Sequence, residues 1–319
     1  MTLPSTAPPA STTPAGDPTA LLFPGQGSQR VGMGEHLMAA HAIARATMEE
    51  ADEALGFPLT RLCLEGPEAE LTRTELCQPA ILAVSVATWR ALGPATGIEP
   101  RWVAGHSLGE YTALVVAGAL AFRDAVRLVR LRGRLMQSAV PDGVGTMAAV
   151  VGLDDARVAE LCAAAAEDEI VSPANFNGAG QVVVAGHRGA VARVMAAAKA
   201  AGGRAIALAV SAPFHCELMA PVAAGLARAL AEIELRAPAV PVVTNVDAAV
   251  SGDPARIREL LVAQVTAPVR WAESMQLLRS LGCRRVVEVG PGQVLAKIVQ
   301  RMRLGMASAT LEEVAEARA

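Results

Sequence analysis

Gly105-His106-Ser107-Leu108-Gly109-Glu110 follows an apolar run, Trp102 to Ala104, and precedes a helix-like run, Tyr111 to Leu120. This order predicts a serine at the apex of a strand-to-helix turn, a nucleophile elbow, with its hydroxyl near backbone N–H groups that stabilise an oxyanion. The G-x-S-x-G pattern alone is a weak signal, because a chain with 28 glycines can contain such a turn by chance. The flanking strand and helix favour a nucleophilic serine at Ser107.

Length and composition indicate a chain that buries a large apolar core. Its 319 residues suffice for one large α/β domain or two smaller ones. Hydrophobic residues make up 52% and aromatic residues 3%, so Ala, Val and Leu must fill the interior. The net charge of −3 gives no basic field, so we expect neither nucleic acid nor membrane as a partner. The expected substrate is small or is carried by a partner protein.

The cysteines and histidines lack the spacing of disulfide frameworks and metal sites. Five scattered cysteines without a C-x-x-C pair predict reduced thiols. Cys216, beside His215, is either a nucleophile or a small buried filler, and free cysteines often pack as fillers. The histidines show no ligand spacing either, so we expect no metal and no cofactor.

The N-terminal residues 1–18 predict a disordered leader. They carry five prolines among Ser, Thr and Ala and have no apolar segment of the kind found in signal peptides. No run approaches the ~18 consecutive apolar residues that span a bilayer. We therefore expect a soluble, cytoplasmic protein that works as a monomer.

Strand and helix patterns alternate along most of the chain, which predicts an α/β fold with a mostly parallel sheet. Residues 146–211 break this rhythm with the order β-α-β-β-α-β, typical of a ferredoxin-like unit. We expect a large α/β-hydrolase-like domain, residues 19–140 and 212–304, with an inserted ferredoxin-like subdomain, residues 141–211. A C-terminal tail, residues 305–319, carries no pattern that indicates a role.

The first predicted strand, Ala20 to Phe23, leads into a glycine-rich loop, Gly25-Gln26-Gly27-Ser28-Gln29. Its exposed backbone amides are either a second source of oxyanion donors or part of an ordinary turn. Helices are expected next from about Gly34 to Leu55 and from Gln78 to Leu92.

A serine hydroxyl becomes a nucleophile when a base takes its proton, and histidine is the usual base. His215 lies where the chain returns from the subdomain, and such a junction borders an interdomain cleft. Position alone does not separate a base from a structural histidine. His106 is expected to shape the site. No acidic residue completes a triad, so a dyad oriented by a backbone carbonyl near Gln264 is the simpler arrangement.

Arg132 is the strongest indication of the substrate. At about 100° per residue on a helix, four other arginines share an arc of about 60° and form a solvated basic stripe; these are Arg123, Arg127, Arg130 and Arg134. Arg132 lies opposite them, on the apolar face. A buried guanidinium requires an anion, so Arg132 binds either a substrate carboxylate or a structural partner.

Seven motifs of the chain stand in an order that is specific to one family. They are Gly25-Gln26-Gly27-Ser28-Gln29, Gly105-His106-Ser107-Leu108-Gly109-Glu110, Arg132 in Arg-Gly-Arg-Leu-Met-Gln, Asn175-Phe176-Asn177, Ser211-Ala212-Pro213-Phe214-His215, Thr244-Asn245-Val246 and Glu288-Val289-Gly290-Pro291-Gly292. From Leu21 to about Met302 the chain closely resembles the malonyl-CoA:acyl carrier protein transacylases and the related acyltransferase domains of polyketide synthases.

The resemblance implies a catalytic dyad of Ser107 and His215, with His215 oriented by the backbone carbonyl of Gln264. It implies an oxyanion hole made by the backbone amides of Gln26 and Leu108. Arg132 would bind the malonyl carboxylate. Malonyl would pass from malonyl-CoA to Ser107, and then to the phosphopantetheine thiol of an acyl carrier protein.

Phe214 resembles the bulky residue of malonyl-selective acyltransferases, where it narrows the pocket against a methyl branch. Some fatty-acid members carry a small residue at that position. The choice of acyl group therefore follows less directly from the resemblance than the type of reaction does.

Two other functions remain open from the sequence. One is an acyl hydrolase that uses the same acyl-serine for proofreading. Arg132 argues against it, because an enzyme that acts on varied neutral acyl chains does not need a buried cation. The other is a non-catalytic docking module for the carrier protein. The sequence does not distinguish fatty-acid from polyketide synthesis.

Overall fold

The computed structural model describes residues 17–210 and 212–318. Of the leader predicted for residues 1–18, all but Asp17 and Pro18 lie outside the described residues. The described residues form ten strands and fourteen α-helices around two sheets. The strands are β1 Thr19–Phe23, β2 Trp102–Gly105, β3 Gly145–Val151, β4 Val171–Gly178, β5 Gln181–His187, β6 Arg204–Ala207, β7 Val242–Val243, β8 Val250–Ser251, β9 Arg285–Glu288 and β10 Ala307–Thr310. The helices are α1 Glu35–Ala40, α2 Ala42–Leu55, α3 Leu59–Glu65, α4 Glu68–Leu71, α5 Thr74–Thr96, α6 Gly109–Val116, α7 Phe122–Ser138, α8 Asp155–Ala166, α9 Arg188–Ala200, α10 Ala220–Ala231, α11 Pro254–Ala263, α12 Trp271–Ser280, α13 Val294–Met302 and α14 Leu311–Glu316.

The larger sheet has six strands in the order β10-β9-β1-β2-β7-β8. Neighbouring strands pair in parallel from β10 to β7, and β8 runs antiparallel to β7 at the edge. Successive residues of β1 face opposite sides: Leu21 and Phe23 enter one apolar core, and Ala20 and Leu22 enter another. Both faces are therefore covered, as parallel sheets require. This architecture confirms the α/β class that the sequence predicts.

Helix α5 lies in the larger of these cores. It is the helix among the described residues that is long and apolar enough to cross a membrane by length and composition. Its most apolar window is 78% buried inside the protein. This burial is the environment of a core helix.

The smaller sheet is antiparallel, in the order β4-β5-β3-β6. Its elements follow the predicted β-α-β-β-α-β order, and α8 and α9 pack on one face around a separate apolar core. Backbone bonds join β4 to the rest of the chain at Val269, which accepts from Phe176 N–H and donates to Ala174, both over 2.9 Å. These bonds fix the small sheet beside the large one.

The structure corrects three expectations about element boundaries. The predicted helix from Gly34 to Leu55 is broken at His41, whose extended backbone separates α1 from α2. Helix α5 extends beyond both predicted ends. The last strand of the small sheet, in a unit expected to reach residue 211, ends at Ala207, and Leu208 and Val210 beyond it line a cavity.

The segment set apart as a C-terminal tail contributes to the large sheet. Strand β10 pairs with β9, and Thr310 and Glu313 form a capping box that starts α14. Leu311 is fully buried in the larger core. The strand is short and made of Ala, Ser and Thr, so its sequence lacks the apolar signal that predicts a strand.

Candidate active site

Ser107 occupies the turn between β2 and α6. Its φ of 53° is the left-handed conformation, which is uncommon for a residue with a side chain and marks functional sites. The flanking glycines are required by close contacts. A Cβ at Gly105 would lie 1.9 Å from the backbone of Gly109, and one at Gly109 would lie 2.0 Å from the oxygen of Phe23. The predicted elbow is present, with its serine exposed to a cavity.

His215 faces this serine. The Nε2 atom of His215 lies 2.7 Å from Ser107 Oγ, and its Nδ1 atom lies 2.8 Å from the backbone oxygen of Gln264. A carbonyl oxygen only accepts, so Nδ1 carries the proton and Nε2 is left to accept from the serine hydroxyl. The histidine and the carbonyl near Gln264, proposed from the sequence, are thus brought together with Ser107.

The surroundings of His215 favour its neutral form. Burial and then the positive charge of Arg132 lower the pKa of the imidazole to about 3, against the opposing effect of the hydrogen bond to Gln264. A neutral imidazole at physiological pH can accept a proton. The geometry is that of a serine with a general base.

Arg132 projects from α7 into the interior and is 1% exposed. It donates from Nη1 to Gln78 Oε1 over 2.8 Å, and from Nη2 to Gln264 Oε1 over 2.9 Å and to Ser107 Oγ over 3.2 Å. Within residues 17–210 and 212–318, its Nε atom has no partner and no carboxylate forms an ion pair with it. Burial lowers the pKa of this guanidinium, but arginine stays protonated in proteins. A buried cation with no carboxylate in contact therefore lies beside the serine hydroxyl.

The loop after β1 lies against the elbow. A Cβ on Gly25 would come within 2.5 Å of the backbone oxygen of His106, so the two segments approach as closely as glycine allows. Gln26 and Leu108 line the same cavity, and the backbone N–H of neither residue donates to an acceptor among the described residues. Two N–H groups are thus available to an oxyanion.

The cavity lies between the two sheets. Gln26, Ser107 and Arg132 line it from the large unit, and Met147 and Val183 line it from the small sheet. The junction with the small sheet brings Phe214 to its wall, next to His215. The cavity is therefore polar at the serine and apolar on the opposite wall.

His106 joins the two sheets. Its Nε2 atom lies 2.9 Å from Asn177 Oδ1, and its ring packs on Trp271 with centroids 5.4 Å apart. Burial lowers the pKa of its imidazole. Its ring has no hydrogen bond to Ser107 among the described residues, in keeping with an expected role in shaping the site.

Asn245 is a site residue that the sequence analysis did not assign. Its Oδ1 accepts the Ser107 N–H over 2.7 Å, and its Nδ2 donates to the Gly105 oxygen over 2.7 Å. This pair of bonds spans the elbow and holds the left-handed serine. Its position was a usable signal, because the motif Thr244-Asn245-Val246 directly follows β7, the parallel neighbour of β2, and sites form at the carboxyl ends of parallel strands.

Glu110, the last residue of the elbow motif, also received no role. It is 1% exposed, and its Oε2 accepts from the backbone N–H of Asn245 over 3.1 Å and from Gln264 Nε2 over 2.8 Å. Burial raises the pKa of this carboxyl to about 7, although both hydrogen bonds and Arg132 oppose the shift. Nothing in the sequence of the elbow motif indicates that the side chain of Glu110 is buried.

Cys216 lies outside this chemistry. It is fully buried, its Sγ donates to the Pro213 oxygen over 3.1 Å, and burial raises the pKa of its thiol to about 11. The thiol therefore stays protonated. The part of the chain that the structure describes holds no group of three or more His, Cys, Asp or Glu placed to bind a metal.

An α/β fold that presents a serine at an elbow to a histidine, beside two free amides, defines a class of serine-dependent acyl-transferring proteins. A family model described as an acyl transferase domain matches residues 20–315, and the chain belongs to that family.

Its relatives share most of their length with it. The malonyl CoA-acyl carrier protein transacylase of Salmonella typhimurium is 50% identical over 297 residues, 93% of this chain and 96% of that one. Among solved structures, the malonyl CoA-acyl carrier protein transacylase of Coxiella burnetii superposes with a TM-score of 0.92 at 40% identity, over 94% and 96% of the chains. A malonyl-transacylase in complex with its type II PKS acyl-carrier protein gives 0.91 at 45% identity, over 94% and 99%.

Proposed function

We propose that this protein transfers malonyl from malonyl-CoA to the phosphopantetheine thiol of an acyl carrier protein through a malonyl ester of Ser107. One observation carries the proposal. The Ser107 Oγ atom is held 2.7 Å from the neutral His215 imidazole and 3.2 Å from the buried Arg132 guanidinium. The contact with His215 allows the hydroxyl to lose its proton and attack an acyl group. The nearby guanidinium favours an acyl group that carries its own carboxylate.

In the first half-reaction, His215 Nε2 takes the hydroxyl proton as Ser107 Oγ attacks the thioester carbonyl of malonyl-CoA. The negative charge moves to the carbonyl oxygen, where the amides of Gln26 and Leu108 stabilise it. One such donor is worth about 10²- to 10³-fold in rate. The intermediate then collapses, the C–S bond breaks, and His215 returns the proton to the departing CoA thiolate.

In the second half-reaction, the carrier's phosphopantetheine thiol attacks the malonyl ester. His215 takes the thiol proton and returns it to Ser107 Oγ as the C–O bond breaks, which restores the free enzyme. Enzyme and carrier thus react in turn, in a ping-pong sequence. The relative solved with its type II PKS acyl-carrier protein supports a carrier protein as the partner.

Arg132 would hold the malonyl carboxylate in this scheme. Its Nε atom has no partner among the described residues, and a planar guanidinium suits a carboxylate. Phe214, on the cavity wall, would limit room for a methyl branch, and His106 would keep the small sheet over the acyl group. No cofactor and no metal takes part in the proposed steps.

We also propose the finer description of the molecule. The large sheet and its helices, residues 19–140 and 212–304, form an α/β-hydrolase-like domain, which β10 and α14 extend. Residues 141–211 form a ferredoxin-like subdomain, supported by the antiparallel order of its strands. We propose a monomer that works in the cytoplasm, where the five buried free cysteines stay reduced.

The test compares the wild type with Ser107→Ala, given radiolabelled malonyl-CoA and a holo acyl carrier protein. We expect label on the carrier with the wild type and a loss of at least about 10³-fold with the variant. Unchanged transfer by Ser107→Ala would show that the elbow is not the reactive site. Fast release of malonate with no labelled carrier would favour the hydrolase. Carriers from fatty-acid and polyketide systems, assayed side by side, would identify the pathway.

A further inference from the structure

Glu110 and Arg132 form a charge pair that does not touch. The described acceptors around the guanidinium are neutral: Gln78 Oε1, Ser107 Oγ and Gln264 Oε1. The Gln264 carboxamide bridges the two charges, because its Oε1 accepts from Arg132 Nη2 and its Nε2 donates to Glu110 Oε2. One side-chain carboxamide, that of Gln264, therefore separates the buried Glu110 carboxyl from the Arg132 guanidinium.

The other titratable groups around Glu110 are either neutral or paired with another residue, so they do not offset the charges of Glu110 and Arg132. Tyr111 neighbours it on α6, and burial raises the pKa of that phenol to about 12, so it is neutral. Asp247, from the loop after β7, raises the pKa of Glu110 but is itself paired with Arg256 over 2.6 Å. His215, beyond Gln264, is held neutral.

We propose that Glu110 is a specificity-setting residue, which takes up one proton from solvent when the substrate's carboxylate binds Arg132. Above about pH 7, where Glu110 is ionised, the resting buried site holds one positive and one negative charge. The substrate brings a second negative charge, and two buried carboxylates cannot share one cation without a cost. Protonation of Glu110 restores the balance, whereas a neutral acyl group requires no proton. The proposal depends on the proposed function, because it takes malonyl as the group on Arg132.

The geometry allows this exchange without rearrangement. Both donors to Glu110, the Asn245 N–H and Gln264 Nε2, meet the same oxygen, Oε2. The proton can therefore be carried by Oε1 while both hydrogen bonds persist. Burial already raises the pKa of the free carboxyl to about 7, so a further anion nearby would hold it protonated in the neutral range.

The experiment measures protons taken up as the acyl-enzyme forms. Wild-type enzyme is mixed with malonyl-CoA, without a carrier protein, in weakly buffered solution at pH 8 with an indicator dye, and acetyl-CoA serves as the control. Transfer from thioester to serine is proton-neutral, since CoA leaves as a thiol. We expect an uptake that approaches one proton per malonyl-enzyme and none per acetyl-enzyme.

The matched variant is Glu110→Gln, whose amide oxygen can accept both hydrogen bonds while the charge is lost. We expect no proton uptake from it. We also expect the wild-type ratio of KM for malonyl-CoA to KM for acetyl-CoA to rise up to tenfold per pH unit above about pH 7, and this rise to vanish in the variant. Asp247→Asn is the control carboxylate, and it should keep the rise.

Three outcomes separate this inference from the proposed function. Malonyl-Ser107 that forms without proton uptake, at a KM ratio that does not vary with pH, would overturn the role of Glu110 and leave the transacylase intact. Proton uptake that is equal for both acyl groups would overturn it too. No acyl-Ser107 from malonyl-CoA would overturn the proposed function itself.

Discussion

The two faces of helix α7 carry the same residue type in opposite surroundings. On the outer face, Arg123 pairs with Glu53 over 3.0 Å, and Arg127 donates to the Ala54 oxygen at the end of α2 over 2.9 Å. On the inner face, Arg132 meets neutral acceptors beside a reactive serine. The outer arginines have solvent and partners of their own. The inner one has a positive charge with no anion in contact, and such a charge indicates a ligand.

The largest effect should follow from removing the inner charge. For Arg132→Ala we expect malonyl loading to fall about 100-fold or more, because a desolvated charge contact to the substrate is lost. Acetyl loading should be retained or improved. The measurement is the single-turnover rate of each acyl transfer to Ser107. An equal loss for both groups would make this arginine structural, like its outer neighbours.

Asn245→Ala should have the next largest effect and sharpen the contrast. The variant removes the two bonds that fix the elbow, and misplacement of a nucleophile can cost about 10²-fold. We expect a tenfold to hundredfold loss of kcat that is equal for malonyl and acetyl groups. A loss confined to malonyl would place Asn245 with Arg132 in acyl recognition.

Glu110→Gln tests whether the ionisation of Glu110 makes the free energy of unfolding depend on pH. The pKa of Glu110 is raised from 4.5 to about 7, so its contribution to stability is fully present below pH 4.5 and is lost as the pH rises through 7. In the wild type this loss amounts to at most about 3 kcal/mol. The variant should not show it. Urea unfolding at pH 5 and pH 8 measures the difference, and parallel pH profiles for the two proteins would contradict the expectation.

The outer face should give the smallest effect. Arg127→Ala removes one donor to the last turn of α2 and should lower the free energy of unfolding by about 0.5 kcal/mol. Malonyl and acetyl transfer should stay at wild-type rates. The same urea titration and loading assays apply, with the exposed Arg134→Ala as the matched control. A selective loss of malonyl transfer in Arg127→Ala would contradict the contrast between the two faces, because it would give the outer face a part in acyl recognition.

Local sequence patterns were enough to predict the elbow, the βα alternation and the inward face of Arg132. Each is written in residues a few positions apart: glycines around a serine, or arginines about 100° apart on a helix. The sequence pattern predicts α1 and α2 as one helix, because the break between them depends on the extended backbone of a single residue, His41.

The side-chain contacts that Asn245 and Gln264 make with the elbow could not be predicted in the same way. Asn245 and Gln264 lie 138 and 157 positions from Ser107, and the packing of two sheets brings them there. The burial of Glu110, and hence its altered pKa, depends on those same contacts. Strand β10 was missed for a different reason, because its small polar residues carry no apolar pattern.

A chase experiment examines whether Ser107 relays malonyl between two thiols. Enzyme loaded with labelled malonyl-CoA is freed of excess substrate, its adduct is located by peptide mass mapping, and a holo acyl carrier protein is added. We expect a single adduct on Ser107 that is stable in water and passes to the carrier within one turnover. An adduct elsewhere, or one that yields free malonate and no malonyl-carrier, would contradict it.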